Sequence, residues 1–184
     1  MDSRNIYIIL VKSPTVPAKF IRFFKREKYS HAAIALDKEL NSMFSFARKW
    51  ESFPFAGCFK RENINEGVYK KHSKLPGIIL ELTVTEQQYQ KMIVQIEKFK
   101  KNKKIYSYNY LGLIFNFFRL DYKRDYKFFC SEFVYYILNE SGIIDLKMSR
   151  IFVSPQELLK VSDKVLYEGN LKTYLMGTFV DSVV

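Results

Sequence analysis

Apolar residues along this chain fall into short runs bounded by turn residues and into longer stripes at helical spacing. The short runs predict β-strands at 6–11, 29–37, 43–48, 57–59, 77–84 and 165–168, with a further edge strand in the last residues. The run at 6–11 is apolar without alternation, which predicts a strand covered on both faces. The runs at 29–37 and 43–48 are separated by a short polar turn, so we expect an antiparallel hairpin.

Two stripes at three-to-four spacing predict the longer helices. The first follows the capping-box sequence Thr85-Glu86-Gln87-Gln88 and ends in the lysine run at 100–104, the sign expected at a helix C-terminus. The second covers 128–138 and stops before Gly142. Residues 61–75 are polar and predict a loop. Shorter helices are predicted at 18–25, from Asn109 onward, and behind Ser154-Pro155 as far as residue 161.

The composition supports one folded domain with a substantial core. The chain has 184 residues, of which 48% are hydrophobic and 17% aromatic, a mixture that argues against disorder. The sequence contains no internal repeat or linker, so we expect a single α+β domain over residues 1–184. The six apolar residues at 6–11 are too few for a signal sequence or a membrane span, which predicts a cytoplasmic protein with reduced thiols.

The formal net charge is +11, and the basic residues are scattered along the chain. A charge of this size attracts anionic partners such as nucleic acid or lipid headgroups. No nucleic-acid-binding motif accompanies it, so we expect a lysine-rich solvated surface and no nucleic-acid partner, while peripheral contact with a membrane stays open. Two cysteines without zinc spacing and two histidines predict neither a metal site nor another cofactor.

Cys130 is the candidate nucleophile. It lies at the first turn of the helix predicted over 128–138, where unpaired backbone N–H groups and the helix dipole favour a thiolate. The alternative is a small buried hydrophobic residue, and on this stretch alone the two interpretations carry about equal weight. Cys58 has no helix start behind it and is interpreted as structural, and Ser131 is interpreted as a residue that supports the helix.

His31 is the better candidate for a general base. Cysteine catalysis needs a base within hydrogen-bond reach of the thiol and usually a third group that holds the base. His31 lies in a strand of small residues, 29–37, where an imidazole stands clear of bulky neighbours. On position alone, a strand-edge histidine with a satisfied hydrogen bond is favoured over a catalytic one. His72 lies in the basic stretch 70–74, which indicates a solvated loop residue.

Three segments, 29–37 around His31, 43–49, and 129–134 around Cys130, resemble a known family. A histidine strand, then a sheet, then a Cys-Ser-x-Phe-Val helix start is similar to the circularly permuted branch of the papain-like NlpC/P60 superfamily. That branch includes YiiX/YaeF-like and lecithin:retinol acyltransferase-like members, and within it the segments resemble a group of Firmicutes proteins. The resemblance spans 6–168. It implies a permuted papain-like fold, a mostly antiparallel sheet packed against helices, with Cys130 as nucleophile at a helix N-terminus and His31 as general base.

The third catalytic group is where the chain departs from the family pattern. The family usually supplies a polar residue, often His, Asn, Gln or Glu, from the strand after the histidine strand. The strand predicted at 43–48 offers Ser45, with Ser42 nearby. A hydroxyl orients an imidazole less strongly than a carboxylate does, so Ser45 predicts either a weakly held base or an incomplete triad.

The resemblance implies a cysteine hydrolase (an amidase or peptidase) or an acyltransferase that acts on an amide, ester or thioester through Cys130 and His31. The expected substrate is a small peptide, a muropeptide fragment or a lipid amide. The alternative is a catalytically degenerate papain-like binding domain that engages an anionic partner or a membrane surface.

Overall fold

Strands from both halves of the chain meet in one antiparallel sheet. The computed structural model describes residues 2–12, 27–48, 57–109, 120, 124–162 and 164–174. The strands in these residues are β1 (Ser3–Val11), β2 (His31–Ala35), β3 (Met43–Arg48), β4 (Gly57–Glu62), β5 (Pro76–Thr85), β6 (Ser107–Tyr108), β7 (Lys127–Phe128) and β8 (Val165–Asn170). The helices in these residues are α1 (Glu86–Lys101) and α2 (Cys130–Glu140), and residues 171–174 are helical as well. Short 3-10 turns lie at Gly67–Tyr69, Arg150–Phe152 and Glu157–Val161.

The main sheet has the order β4-β3-β2-β1-β5-β8, and each neighbouring pair is antiparallel. β1 lies inside the sheet, paired with β2 from Tyr7↔Ala35 to Val11↔His31 and with β5 along its whole length. β6 and β7 form a separate parallel pair. The α+β architecture, with a mostly antiparallel sheet packed against helices, is therefore confirmed, as is the antiparallel β2–β3 hairpin.

The local sequence explains where each helix begins and ends. The Thr85 hydroxyl accepts the Gln88 N–H at 3.2 Å, and the Gln88 side chain accepts the Thr85 N–H at 3.0 Å, so the predicted capping box of α1 is confirmed. α1 ends in a turn that carries three lysines. α2 ends shortly before Gly142, whose φ of 68° is the left-handed conformation that glycine adopts without strain. No helix in the described part of the chain combines the length and the apolar character that crossing a bilayer requires.

Both faces of the sheet are buried, as the unbroken apolar run of β1 predicts. The even-numbered residues of 6–10 belong to the core that α1 and α2 share, and the odd-numbered residues of 7–11 belong to a second core on the other face. Phe46 of β3 joins the helices to the sheet, with its ring centroid 5.9 Å from that of Phe99 and 5.5 Å from that of Phe133. Burying a side chain of this size stabilises the fold by about 1.5–3 kcal/mol, so these contacts fix α2 against the sheet.

The structure departs from the predicted elements in several places. The strands β6 and β7 are not among the predicted strands, and Phe128, the predicted first residue of the second helix, lies in β7. β4 runs to Glu62, three residues beyond the strand predicted at 57–59, so the predicted loop at 61–75 begins as a strand. The short helix predicted behind Ser154 is a 3-10 turn, in which the Ser154 hydroxyl accepts the Glu157 N–H at 3.4 Å. The helices predicted at 18–25 and beyond residue 109, and the strand predicted in the last residues, lie outside the described residues.

Candidate active site

The start of α2 places Cys130 directly after β7. The extended residue Phe129 leads into the helix, and Cys130 is its first residue, with 5% of its surface exposed. The first N–H groups of a helix have no intrahelical acceptor and lie at the positive end of the helix dipole. Negative charge that develops beside Cys130 is therefore stabilised by the backbone.

His31, the first residue of β2, interacts with both Cys130 and a carboxylate. Its Nε2 atom is 2.7 Å from Oε2 of Glu62, and the Cys130 side chain is near enough to help raise the pKa of the imidazole. The side chains of His31 and Glu62 are 12% and 2% exposed, so the bond between them is shielded from water. The structure thus brings together the two residues that the sequence predicts as nucleophile and base, and it adds a third.

The charges of these three groups depend on one another. Burial lowers the pKa of His31, but the Glu62 carboxylate and the Cys130 side chain outweigh burial and raise that pKa to about 10. Burial also raises the pKa of Glu62, yet the charge and hydrogen bond of His31 hold it below its usual value. At neutral pH the site therefore contains an imidazolium paired with a carboxylate, and the sulfur lies beside the imidazolium.

Ser45, the residue predicted for the third position, forms no hydrogen bond with His31, whose ring contacts Glu62 instead. Its hydroxyl is fully buried and helps to lower the pKa of Glu62, although it forms no hydrogen bond of normal geometry with any described atom. The β3–β4 register pairs Met43 with Glu62, which places Glu62 on the same sheet face as Ser45 and diagonally across from it. The group that orients the imidazole is therefore Glu62, one strand further along the sheet than the sequence predicts.

The sequence does not identify Glu62 as a strand residue, because β4 ends in polar residues. Lys60, Arg61 and Glu62 carry no apolar alternation, so the pattern assigns the end of β4 to the following loop. The signal that could have found Glu62 is strand length. A six-residue β3 pairs with six residues, and a partner strand that starts at Gly57 then ends at Glu62. A carboxylate at the end of a covered strand is a natural candidate to pair with His31.

A second buried carboxylate, Glu132, holds the first turn of α2. Its Oε1 accepts a hydrogen bond from Nε of Arg150 at 2.9 Å, and its Oε2 accepts the backbone N–H of Phe129 at 3.3 Å. The amide of Asn109 lies 3.5 Å from the same Oε2, and Arg150 also donates to the carbonyl of Arg124 at 2.7 Å. Burial raises the pKa of Glu132 although the charge of Arg150 opposes it. This network fixes the residue immediately before the candidate nucleophile.

The remaining candidate residues lie elsewhere in the fold and are not among the groups that act on His31. Cys58 is half-buried within β4. Ser131 donates its hydroxyl to the carbonyl of Val153 at 2.7 Å, which ties α2 to the chain that follows it. His72 is half-buried in the turn after Gly67–Tyr69, and the backbone N–H of Ser42 donates to a side chain in the turn before β3.

Comparison of the chain with models of protein families, with curated proteins and with solved structures finds no match. What the protein does must therefore be inferred from the chemistry of the site. That chemistry consists of a thiol at a helix start, an imidazole whose pKa is raised, and a buried carboxylate that accepts from the imidazole.

Proposed function

We propose that the protein is a cysteine hydrolase, an amidase or peptidase, or an acyltransferase. Cys130 is the nucleophile, His31 the general base, and Glu62 the group that orients His31. The observation that supports this most strongly is the position of the imidazole, which lies 2.7 Å from a carboxylate and also interacts with the thiol. A nucleophile, a base and an orienting group linked in this order are what cysteine catalysis requires.

The proposed reaction begins with the Cys130 thiolate beside the His31 imidazolium. The sulfur attacks the carbonyl carbon of an amide, ester or thioester, and the first N–H groups of α2 stabilise the oxyanion. The tetrahedral intermediate collapses to a thioester on Cys130 while His31 gives its proton to the departing amine, alcohol or thiol. Water, or the acceptor in a transferase, then loses a proton to His31 and attacks the thioester. This step releases the acyl product and restores the ion pair.

The same arrangement supports a circularly permuted papain-like fold of the NlpC/P60 type. The histidine lies on an early strand, the cysteine lies at the start of a late helix, and an antiparallel sheet connects them. We propose small peptides, muropeptide fragments and lipid amides as substrate classes, since each supplies an acyl group for the proposed thioester. A cytoplasmic location belongs to the same proposal.

Thiol alkylation tests the proposal without a known substrate. Iodoacetamide is added to the full chain between about pH 6 and pH 8, and modification of each cysteine is followed by peptide mass spectrometry. We expect Cys130 to react faster than free cysteine at the acidic end of this range, because the imidazolium stabilises the thiolate. In His31→Ala the rate at Cys130 should fall about tenfold or more, while Cys58 serves as an internal control.

One observation favours a second function. Cys130 is 5% exposed, and a thiol that no carbonyl group can reach would leave a papain-like binding domain without catalysis. Such a domain would engage an anionic partner or a membrane surface. In that case Cys130 reacts no faster than free cysteine and His31→Ala leaves its rate unchanged, and this result overturns the enzyme proposal.

A further inference from the structure

A strongly basic surface lies where α1 ends and the chain enters β6. It consists of Lys98, residues 101–105 and residues 124–127, and we refer to it as the basic tip. Its cations are Lys98, Lys101, Lys103, Lys104 and Arg124, which are exposed, and Lys127, which is half-buried. Asp125 is the acidic residue among these positions, so six cations and one carboxylate give the basic tip a charge of +5 out of +11 for the chain.

Backbone pairing holds the two segments of the basic tip together. The N–H of Ser107 in β6 donates to the carbonyl of Tyr126 at 3.0 Å, and Ser107 pairs with Lys127 of β7. The ring centroids of Tyr106 and Tyr126 are 6.1 Å apart, and both residues line one surface cavity with Lys98. The far side of this cavity is lined by Arg150 and by carboxylates outside the basic tip, those of Glu140 and Asp145. The lysines at the end of α1 and the cations beside β7 therefore belong to one continuous surface.

Two apolar side chains project from the basic tip. Ile105 is 57% exposed and Tyr126 is 59% exposed. Aliphatic and tyrosine side chains among lysines are typical of surfaces that enter the headgroup region of a bilayer. Nucleic-acid binding would make little use of Ile105, because single strands are held by aromatic stacking. Lysine supplies five of the six cations here, and as point charges they suit lipid headgroups.

We propose that the basic tip docks the protein onto anionic lipid bilayers. The lysines attract the headgroups, and Ile105 and Tyr126 enter the interface between headgroups and acyl chains. Docking uses neither Cys130 nor His31, so this inference does not rest on the proposed catalytic function.

Co-sedimentation with vesicles tests the docking surface. The full chain is mixed with vesicles of phosphatidylcholine and phosphatidylglycerol, or of phosphatidylcholine alone, over a range of salt concentrations. We expect binding to the anionic vesicles that weakens with salt, and no binding to the neutral ones. The variant K101E/K103E/K104E should partition at least on the order of 100-fold more weakly, since each lysine near an anionic surface contributes about fivefold. I105S/Y126S should weaken binding further at high salt, where attraction between charges is screened.

Matched variants separate the basic tip from net charge and general hydrophobicity. K70E/K71E/K74E makes the same change of charge elsewhere, and V94S/V165S removes two apolar side chains that are 64% and 51% exposed. Both should bind like the parent, and so should Cys130→Ala. Equal loss in the 70–74 variant, equal binding to neutral vesicles, or tighter binding to single-stranded RNA than to anionic vesicles at the same salt overturns the proposal.

Discussion

Glu62 and Glu132 are both buried and both paired with a cation, yet their pKa values are shifted in opposite directions. Burial is the largest effect on each carboxylate and raises its pKa. At Glu62 the charge and hydrogen bond of His31 outweigh burial, whereas at Glu132 the charge of Arg150 does not. Two similar contacts therefore leave one carboxylate easier to ionise than in water and the other harder.

The nature of each partner explains what each carboxylate can do. The imidazole of His31 titrates, so Glu62 governs a proton that can take part in a reaction. The guanidinium of Arg150 does not titrate in proteins, so its pair with Glu132 positions the chain without exchanging a proton. Buried ion pairs of this second kind add little net stability while intact and are costly to break. We therefore expect changes at Glu132 to alter folding and changes at Glu62 to alter reactivity and pH dependence.

Arg150→Met should give the largest loss of stability. It leaves the Glu132 carboxylate buried and unpaired, so we expect the free energy of unfolding to fall by about 3–5 kcal/mol in urea titrations near pH 7. The double variant E132Q/R150M should recover most of this loss, because a buried amide is less costly than a buried charge. Lys160→Met removes an exposed pair with Glu157 and should cost less than about 1 kcal/mol. A similar effect of Arg150→Met and Lys160→Met would remove the contrast between the two carboxylates.

Glu62→Gln should lower the pKa of His31 from about 10 towards 6.5, because it removes the charge that opposes burial. The chain has two histidines, so a His72→Gln background leaves the His31 imidazole alone in an NMR titration. Alkylation of Cys130 near pH 8 should slow as well, since His31 is then largely neutral.

Glu132→Gln is the matched control in the same titration. It removes a buried carboxylate that does not contact the imidazole, so the pKa of His31 should stay near 10. If both substitutions move this pKa equally, the influence on His31 is a general effect of charge and Glu62 has no special role.

Stability should depend on pH through His31. Its folded pKa of about 10 lies above the ordinary value of 6.5, so its contribution is fully present below about pH 6.5 and is lost as pH rises through 10. Urea titrations should therefore show the advantage of the parent over His31→Gln shrinking across this interval, by at most about 5 kcal/mol. The lowered pKa of Glu62 has the opposite effect on the pH dependence of stability. Its contribution is present above about pH 4.5 and is lost as the pH falls below that value. A difference from His31→Gln that is constant from pH 6 to pH 10 contradicts the coupling.

The sequence predicts the strands and helices that carry this site better than it predicts the charged residues that pair within it. The strand at 6–11 and the capped helix behind Thr85 are visible because apolar spacing and a capping box are local signals. The resemblance to permuted papain-like proteins predicts that His31 acts with Cys130. Glu62 was not predicted, because a polar strand end has no local signature and only pairing with β3 shows where it lies. The Glu132–Arg150 pair could not be predicted either. The two residues are 18 positions apart, and their contact depends on the tertiary fold of the segment between them.

Ser45→Ala should have the smallest effect, and it decides whether Ser45, the predicted third residue, or Glu62, the proposed one, orients His31. The substitution removes a buried hydroxyl that lacks a hydrogen bond of normal geometry, and this removal favours the folded state. The gain offsets the loss of the hydroxyl that helps to keep the Glu62 carboxylate ionised. We expect stability to change by less than about 1 kcal/mol and the alkylation rate of Cys130 to stay within about threefold of the parent, because Glu62 still holds His31. A loss as large as that in His31→Ala would instead mean that the hydroxyl governs the imidazole. Ser45 would then regain the role that the sequence predicts, and the 2.7 Å contact with Glu62 would be a structural ion pair only.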